Sequence, residues 1–280
     1  LGIDNVDKLV ENPWIRFDNM KLKQSIIGMI HIPALPGTPK ASLSPTQVLD
    51  KTLAEARIYQ QAGIDALAIE NMHDVPYLNR QVGPEITAMM TLLGKAVKQE
   101  TNLPAGIQIL AGANREALAA AHAAGLDFIR AEGFVFAHVA DEGTMQSDAG
   151  ELLRYRKQIG AEQIRIFTDI KKKHSAHALT ADVDMVETAK AAEFFLSDGL
   201  IVTGAATGVT ASLQELEAVK NAVDLPIMVG SGVNLDNVGD YLSLCDGLII
   251  GSWFKQGGHW ARDLDQERIA RFMEKVHRLR

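Results

Sequence analysis

The sequence predicts an α/β fold of the (β/α)8, or TIM-barrel, type. Three observations predict it. From residue 25 onward one unit recurs: a short run rich in Ile and Val, a polar turn, then a longer amphipathic stretch. Eight such units fill about 250 residues, the length such a barrel takes. No glycine fingerprint of the kind that opens a doubly wound dinucleotide-binding sheet follows the first run, which continues as "HIPALPG" (31–37). Strands alternating with helices imply a parallel sheet. With no composition shift to mark a linker, the reading is one barrel domain over 25–280 preceded by an N-terminal extension over 1–24.

The extension carries Trp14 and Phe17, which give it something to bury, either across the barrel or in an oligomer contact. The first strand, "SIIGMIHI" (25–32), runs into Pro33, Pro36 and Pro39. Proline fixes φ near −65° and has no N–H, so this loop can neither extend the strand ladder nor drift into helix. It is a stiff wall beside His31. Ser44 is placed to cap the following helix, with Pro45 at its first position and Gly63 at its end. The next strands are "DALAIEN" (65–71), "AGIQIL" (105–110), "DFIRAE" (127–132) and "IRIFTDI" (164–170). "GLIVTG" (199–204), "PIMVGSG" (226–232) and "GLIIGSW" (247–253) complete the eight. Late helices are clearest in "ADVDMVETAKAAEFF" (181–195) and "DQERIARFMEKVHRL" (265–279), where apolar residues recur at helical spacing.

Composition narrows the function. The chain is 47% hydrophobic, enough for a large core, and carries a formal net charge of −7. Its only dense basic run is "KKKH" (171–174), so no nucleic-acid partner is expected. No apolar run approaches the roughly 18 residues of a membrane span. The single Cys245 forbids an internal disulfide and a multi-Cys zinc site, suits a reducing compartment such as the cytoplasm, and reads as a buried core residue. The chain begins with Leu, which leaves a removed presequence and an organellar matrix open. By analogy with other barrels, a homo-oligomer is expected.

In barrels of this type, chemistry sits at the carboxyl ends of the strands. There the sequence places His31, Glu70, Asn71, Gln108, Arg130, Glu132, Asp169, Lys171, Thr203, Ser231 and Ser252. Side chains alternate along a strand, so Arg130 and Glu132 share one face, as do Asp169 and Lys171. Their apolar neighbours face the helices, which turns the charges toward the barrel axis. Glu70 and Asp169 are the acid/base candidates. Lys171 lowers the pKa of a carboxylate beside it or acts as an acid itself, and a Schiff base at Lys171 is a sharper variant. Arg130 is suited to holding a substrate oxyanion, and His31 to polarising a carbonyl or relaying a proton. "TGAATG" (203–208), "GSG" (230–232) and "GSWFKQGG" (251–258) follow the last three strands. Glycine lets backbone N–H groups approach an anion, and loops after strands seven and eight form the usual phosphate site of this architecture. Thr203, Gly204, Gly230, Ser231, Gly232, Gly251 and Ser252 are therefore the phosphate-binding candidates. Asp169, His174 and His177 could meet a divalent metal, but they match no strong zinc spacing, and no cofactor is expected. No G-x-S-x-G elbow supports hydrolase chemistry.

Taken together, "IGMIHIPALPGTP", "ENMHDVPY", "FIRAE", "LRYR", "KKHSAHAL", "IVTGAATG", "VGSGV" and "GSWFKQGG" make the chain resemble the BtpA family, which includes the SgcQ-type proteins. The resemblance covers roughly residues 24 to 275. It implies a barrel of the ribulose-phosphate-binding group. It implies little about reaction, since the family is named for photosystem I accumulation in cyanobacteria yet occurs in organisms without photosynthesis. The chain departs from the family's pattern at residues 111–114 and at Glu132, where relatives tend to carry an Asn-Asp pair and Asn. Two expectations arise from this. One is an enzyme (isomerase, lyase or glycosidic-bond-cleaving) acting on a phosphorylated small molecule such as a sugar phosphate or nucleotide-like compound. The other is a non-catalytic assembly or stability factor of the photosystem I biogenesis type.

Overall fold

Eight strands, buried on both faces, close into one parallel barrel with a helix after each. The computed structural model describes residues 23–204 and 210–280. Trp14, Phe17 and nearly all of the extension expected over 1–24 lie outside the described residues, as do the last four residues of "TGAATG" and Val209. The barrel strands are β1 (Ser25–His31), β2 (Ala66–Glu70), β3 (Ala105–Gln108), β4 (Phe128–Ala131), β5 (Arg165–Ile170), β6 (Gly199–Val202), β7 (Ile227–Val229) and β8 (Gly247–Ile250). They neighbour one another in chain order, and β8 pairs with β1 to close the ring. The helices are α1 (Pro45–Gln61), α2 (Pro84–Thr101), α3 (Asn114–Ala124), α4 (Ala149–Gln158), α5 (Met185–Phe194), α6 (Leu213–Lys220), α7 (Val238–Leu244) and α8 (Gln266–Leu279). No helix among the described residues is long and apolar enough to cross a membrane.

Local chemistry fixes the first unit. The Ser44 hydroxyl accepts from the Gln47 N–H while the Gln47 side chain accepts from the Ser44 N–H, a reciprocal cap. Pro45 opens α1, and Gly63, at φ +76°, ends it in a conformation that suits glycine.

Burial on both faces explains the near-continuous Ile and Val runs. Ile26, Ile30, Leu67, Ile69, Ile107 and Ile129 face outward under the helices. Ile27, Met29, Ala66, Ala68, Phe128, Phe167, Ile201, Met228 and Ile249 fill the barrel itself. The two phenyl rings lie 5.4 Å apart. They fit because strand neighbours lack side chains. A Cβ on Gly106 would stand 2.1 Å from the Phe128 ring, and one on Gly199 2.6 Å from Phe167.

One sheet lies outside the expected pattern. Short strands His138–Ala140, Gly143–Met145 and Ser175–Ala176 pair antiparallel beside the mouth, built from the loops after β4 and β5.

Replacing Gly106 with Ala should cost about 1–3 kcal/mol, because the ring of Phe128 has no room to yield. Denaturant unfolding measures this, and an unchanged midpoint would contradict the packing described.

Candidate active site

The inward parity set by Ile27, Ala68, Phe128, Phe167, Ile201, Met228 and Ile249 continues to the carboxyl ends of the strands. It brings His31, Glu70, Gln108, Arg130, Asp169, Thr203, Gly230 and Gly251 onto the barrel axis above the apolar layers. His31 pairs in register with Glu70, and Glu70 with Gln108.

The centre of this layer is an ion pair. Arg130 Nε and Nη2 donate to Asp169 Oδ2 and Oδ1, each at 2.8 Å, with both side chains buried. Burial works against the guanidinium charge, but Asp169, then Glu70 and Glu132, outweigh it and raise the Arg130 pKa. The guanidinium lies over Gly230, where a Cβ would stand 3.2 Å from Nη2. Arg130 Nη1 makes no hydrogen bond among the described residues. Each oxygen of Asp169 therefore accepts from the guanidinium, which fixes the carboxyl in place.

Glu132 is equally anchored. Its Oε1 accepts from Gln108 Nε2 at 3.1 Å and its Oε2 from Lys172 Nζ at 3.3 Å. The Asn114 side chain clasps its backbone from both sides, at 3.1 and 2.8 Å.

Glu70 differs from both. It is buried, yet its carboxyl makes no hydrogen bond or salt bridge among the described residues. Burial raises its pKa, Arg130 and Lys173 oppose the rise, and Glu132 and Asp169 add to it. Beside it, Gln108 Oε1 is buried without a partner. Burial raises the Glu132 pKa as well, against Lys172, so what sets Glu70 apart from Glu132 and Asp169 is that its carboxyl has no hydrogen-bond partner among the described residues.

His31 is held in one tautomer. Nδ1 lies 3.0 Å from the Trp260 carbonyl, which can only accept, so Nδ1 carries the hydrogen. Nε2 is then a lone pair, lying against Gly251, where a Cβ would stand 2.9 Å away. Burial first, and Lys255 next, lower the ring's pKa to about 3. The neutral ring offers a substrate an acceptor.

The lysines depart from strand alternation. β5 ends at Ile170, and Lys171 takes φ +45°, which turns the chain. Lys171 Nζ donates to the Thr180 carbonyl at 3.2 Å, and the side chain lines a small cavity with His138 and His177 behind Asp169. The expected sharing of a face with Asp169 therefore fails at the turn. The next two lysines take the inward places. Lys172 reaches Glu132, and the backbone N–H of Lys173 donates to Thr203 Oγ1 at 3.2 Å. Lys173 Nζ has no hydrogen-bond partner among the described residues. Burial lowers its pKa, as does Arg130, while Glu70, Asp169 and Glu132 work the other way. The run "KKKH" is the only sequence signal for these two residues.

Around the opposite rim stand the glycine loops. Ser231 Oγ accepts from the Gly204 N–H at 3.0 Å, and the Gly230 N–H donates to the Val202 carbonyl at 2.9 Å. Gly230 and Gly251 thus have a packing reason to be glycine, since Ile201, Thr203 and Arg130 crowd the first and His31 the second. Gly232 turns at φ +76°, and Ser252–Phe254 forms a single 3-10 turn. Among the described residues, the N–H groups of Gly232, Val233, Ser252 and Trp253 have no acceptor.

Asp169, His174 and His177 do not meet: Asp169 is held by Arg130, His174 is exposed, and His177 Nε2 bonds to the Lys172 carbonyl. Among the described residues no three His, Cys, Asp or Glu side chains form a metal-binding group. Cys245 is buried with its thiol on the Tyr241 carbonyl, and burial pushes its pKa up to about 12.

Long-range side-chain bonds hold the rim loops. Asp74 accepts from the Leu35 N–H and the Asn71 amide, and Asn71 accepts from the Leu110 N–H. Arg80 bonds Asp148 and the carbonyls of Gly112, Gly133 and Gln146. These ties join the loops after β1 to β4.

The sequence model of the BtpA family matches residues 22–278. An uncharacterized mitochondrial protein of Caenorhabditis elegans is 51% identical over 260 residues, covering 91% of this chain and 94% of that protein. The photosystem I biogenesis protein BtpA of Synechocystis is 30% identical over 264 residues, covering 92% and 90%. Among solved structures, the thiamine phosphate pyrophosphorylase of Pyrococcus furiosus superposes with a TM-score of 0.58 at 14% identity, over 92% of this chain and 98% of that one. That likeness is one of fold.

Two substitutions separate anchoring from chemistry. Asp169→Asn leaves Arg130 buried without its counter-ion and should cost about 3–5 kcal/mol. Glu70→Gln removes a buried carboxyl that no protein group satisfies, and at neutral pH it should cost nothing or gain about 0.5–2 kcal/mol. The folded pKa of Glu70 lies above the unfolded carboxyl value of about 4.3, so the native state holds the extra proton. Wild-type stability should therefore fall relative to the Gln variant as pH rises from that value through the folded one, and the gap should vanish below it. Denaturant melts across pH measure both.

Proposed function

The chain belongs to the BtpA family, and from that premise we propose that it is an enzyme acting on a phosphorylated small molecule, with Glu70 as its acid/base. The observation that carries the reading is the carboxyl of Glu70: buried, with its pKa raised by burial, and without a hydrogen-bond partner among the described residues, beside the paired charges of Arg130, Asp169, Glu132 and Lys172. A buried polar group left unsatisfied costs stability, and proteins keep such groups where function uses them.

In this reading the phosphate docks at the loops after β7 and β8, on the N–H groups of Gly232, Val233, Ser252 and Trp253 and on the Ser252 hydroxyl. The relation to a phosphate-named barrel such as thiamine phosphate pyrophosphorylase is in keeping with this. Binding there fixes the reacting end of the substrate over Glu70, so that remote binding energy positions the chemistry. Glu70 donates its proton to a substrate oxygen, and the carboxylate left behind is stabilised by Arg130, then takes the proton back. Arg130 Nη1 is available to a developing oxyanion, and His31 Nε2 accepts from a substrate hydroxyl. This scheme suits isomerisation and lyase chemistry better than it suits glycosidic cleavage, which wants a second free carboxyl, because Asp169 and Glu132 are both committed.

The name of the Synechocystis relative supports a second reading, a non-catalytic assembly factor. It gives no role to Glu70, to Gln108 Oε1 or to Lys173. The Caenorhabditis elegans relative's name supports a mitochondrial location for this chain.

Calorimetry with inorganic phosphate tests the anion loops: Ser252→Asp should abolish binding by like-charge repulsion, and unchanged affinity would reject the site. In a turnover screen of phosphorylated sugars and related metabolites, Glu70→Gln should lower kcat by about 10²–10⁴. Normal turnover in that variant would remove Glu70 from the chemistry.

A further inference from the structure

The mouth holds four lysines, and three have work within the protein. Lys171 bonds the Thr180 carbonyl, Lys172 pairs with Glu132, and Lys255 is held by both oxygens of Glu55 at 2.6 and 2.8 Å. Lys173 has none among the described residues. Its backbone N–H is pinned to Thr203, an inward residue just past the end of β6, which sets the root of the side chain at the axis of the barrel. The amine lies within electrostatic reach of Arg130, Glu70, Asp169 and Glu132, and it also acts on His31 across the mouth. It is therefore an amine without a hydrogen-bond partner among the described residues, set among Arg130, Asp169, Glu132 and Glu70.

We infer that Lys173 is the nucleophile of this site and that the substrate's reacting group is a carbonyl, so the substrate is a phosphorylated aldehyde or ketone. The inference rests on the phosphate-substrate reading above. Two features make the amine reactive. Burial disfavours the ammonium form most, and the nearby guanidinium of Arg130 disfavours it further; Glu70, Asp169 and Glu132 work the other way without reversing the shift.

Atoms and electrons balance through the step. The Nζ lone pair forms a bond to the carbonyl carbon as the C=O π pair moves to oxygen. One proton passes from nitrogen to that oxygen, giving a carbinolamine. Glu70 then protonates the hydroxyl, the C–O bond breaks, and water leaves. Lys173 is left as a protonated imine and Glu70 as a carboxylate. That carboxylate is the base for removing a proton from the carbon next to the imine, or for accepting one as a neighbouring C–C bond cleaves. Hydrolysis reverses the imine with the same atoms.

Pyridoxal 5′-phosphate is the probe, since it carries an aldehyde and a phosphate. Incubated with the full chain, reduced with borohydride and mapped by peptide mass spectrometry, it should mark Lys173 at least about tenfold faster than Lys171, whose amine is held by the Thr180 carbonyl. Inorganic phosphate should slow the marking. Lys173→Arg, which keeps the charge, should lose the label while retaining the wild-type circular dichroism melt and phosphate affinity. Label spread over surface lysines, or absent from Lys173 while phosphate still binds, would overturn the imine and leave the phosphate reading intact. Equal marking of Lys173 by pyridoxal and its phosphate, with no phosphate binding in calorimetry, would sustain the nucleophile and remove the phosphate site instead.

Discussion

The bidentate pair between Arg130 and Asp169 sets the terms for the rest of the mouth. Two strands deliver one charge each to the barrel axis, where neither could stand alone at the energies of a buried ion. Held together, they become a fixed dipole with defined neighbours. The guanidinium joins Ile201 and Thr203 in crowding the place of a Cβ at Gly230. Glu132 must find other donors, and it finds Gln108 and Lys172. Among the described residues, Glu70 is left as the carboxyl and Lys173 as the amine without a hydrogen-bond partner. The groups left over are defined by what the anchored ones exclude.

Much of this was legible in the chain. The eight apolar runs are strands, each within a few residues of its expected ends, because burial on both faces leaves a signal that no loop mimics. Alternation then carried His31, Glu70, Arg130 and Asp169 to the axis correctly, since a strand has only two faces. Alternation failed at Lys171 for a local reason. A positive φ there ends the strand one residue early, and nothing in a run of three lysines says which of them turns. The sheet around His138 was illegible because its strands are two or three residues long, polar and interrupted by Gly143.

The glycines show a different limit. Their positions after β7 and β8 suggested bare backbone for an anion. The structure gives Gly230 and Gly251 a reason that depends on side chains from other strands, Arg130 and His31 among them. A glycine in sequence records that space is needed, and only the fold says what fills it. The same holds for Asn71, Asp74 and Arg80, whose partners lie up to 68 residues away and leave no periodic trace.

Arg80 has one more implication. A single guanidinium, carried by the loop after β2, spans the loops after β3 and β4, which meet it with the carbonyls of Gly112, Gly133 and Gln146 and the Asp148 carboxylate. Backbone carbonyls are supplied by position and not by residue type, so the side chains of these loops are free to vary while their lengths are not. A residue inserted into either of them displaces its carbonyl and loosens the other. This half of the rim is therefore open to evolution by substitution and closed to evolution by insertion, so new specificity arising there would come from exchanged side chains on an unchanged backbone.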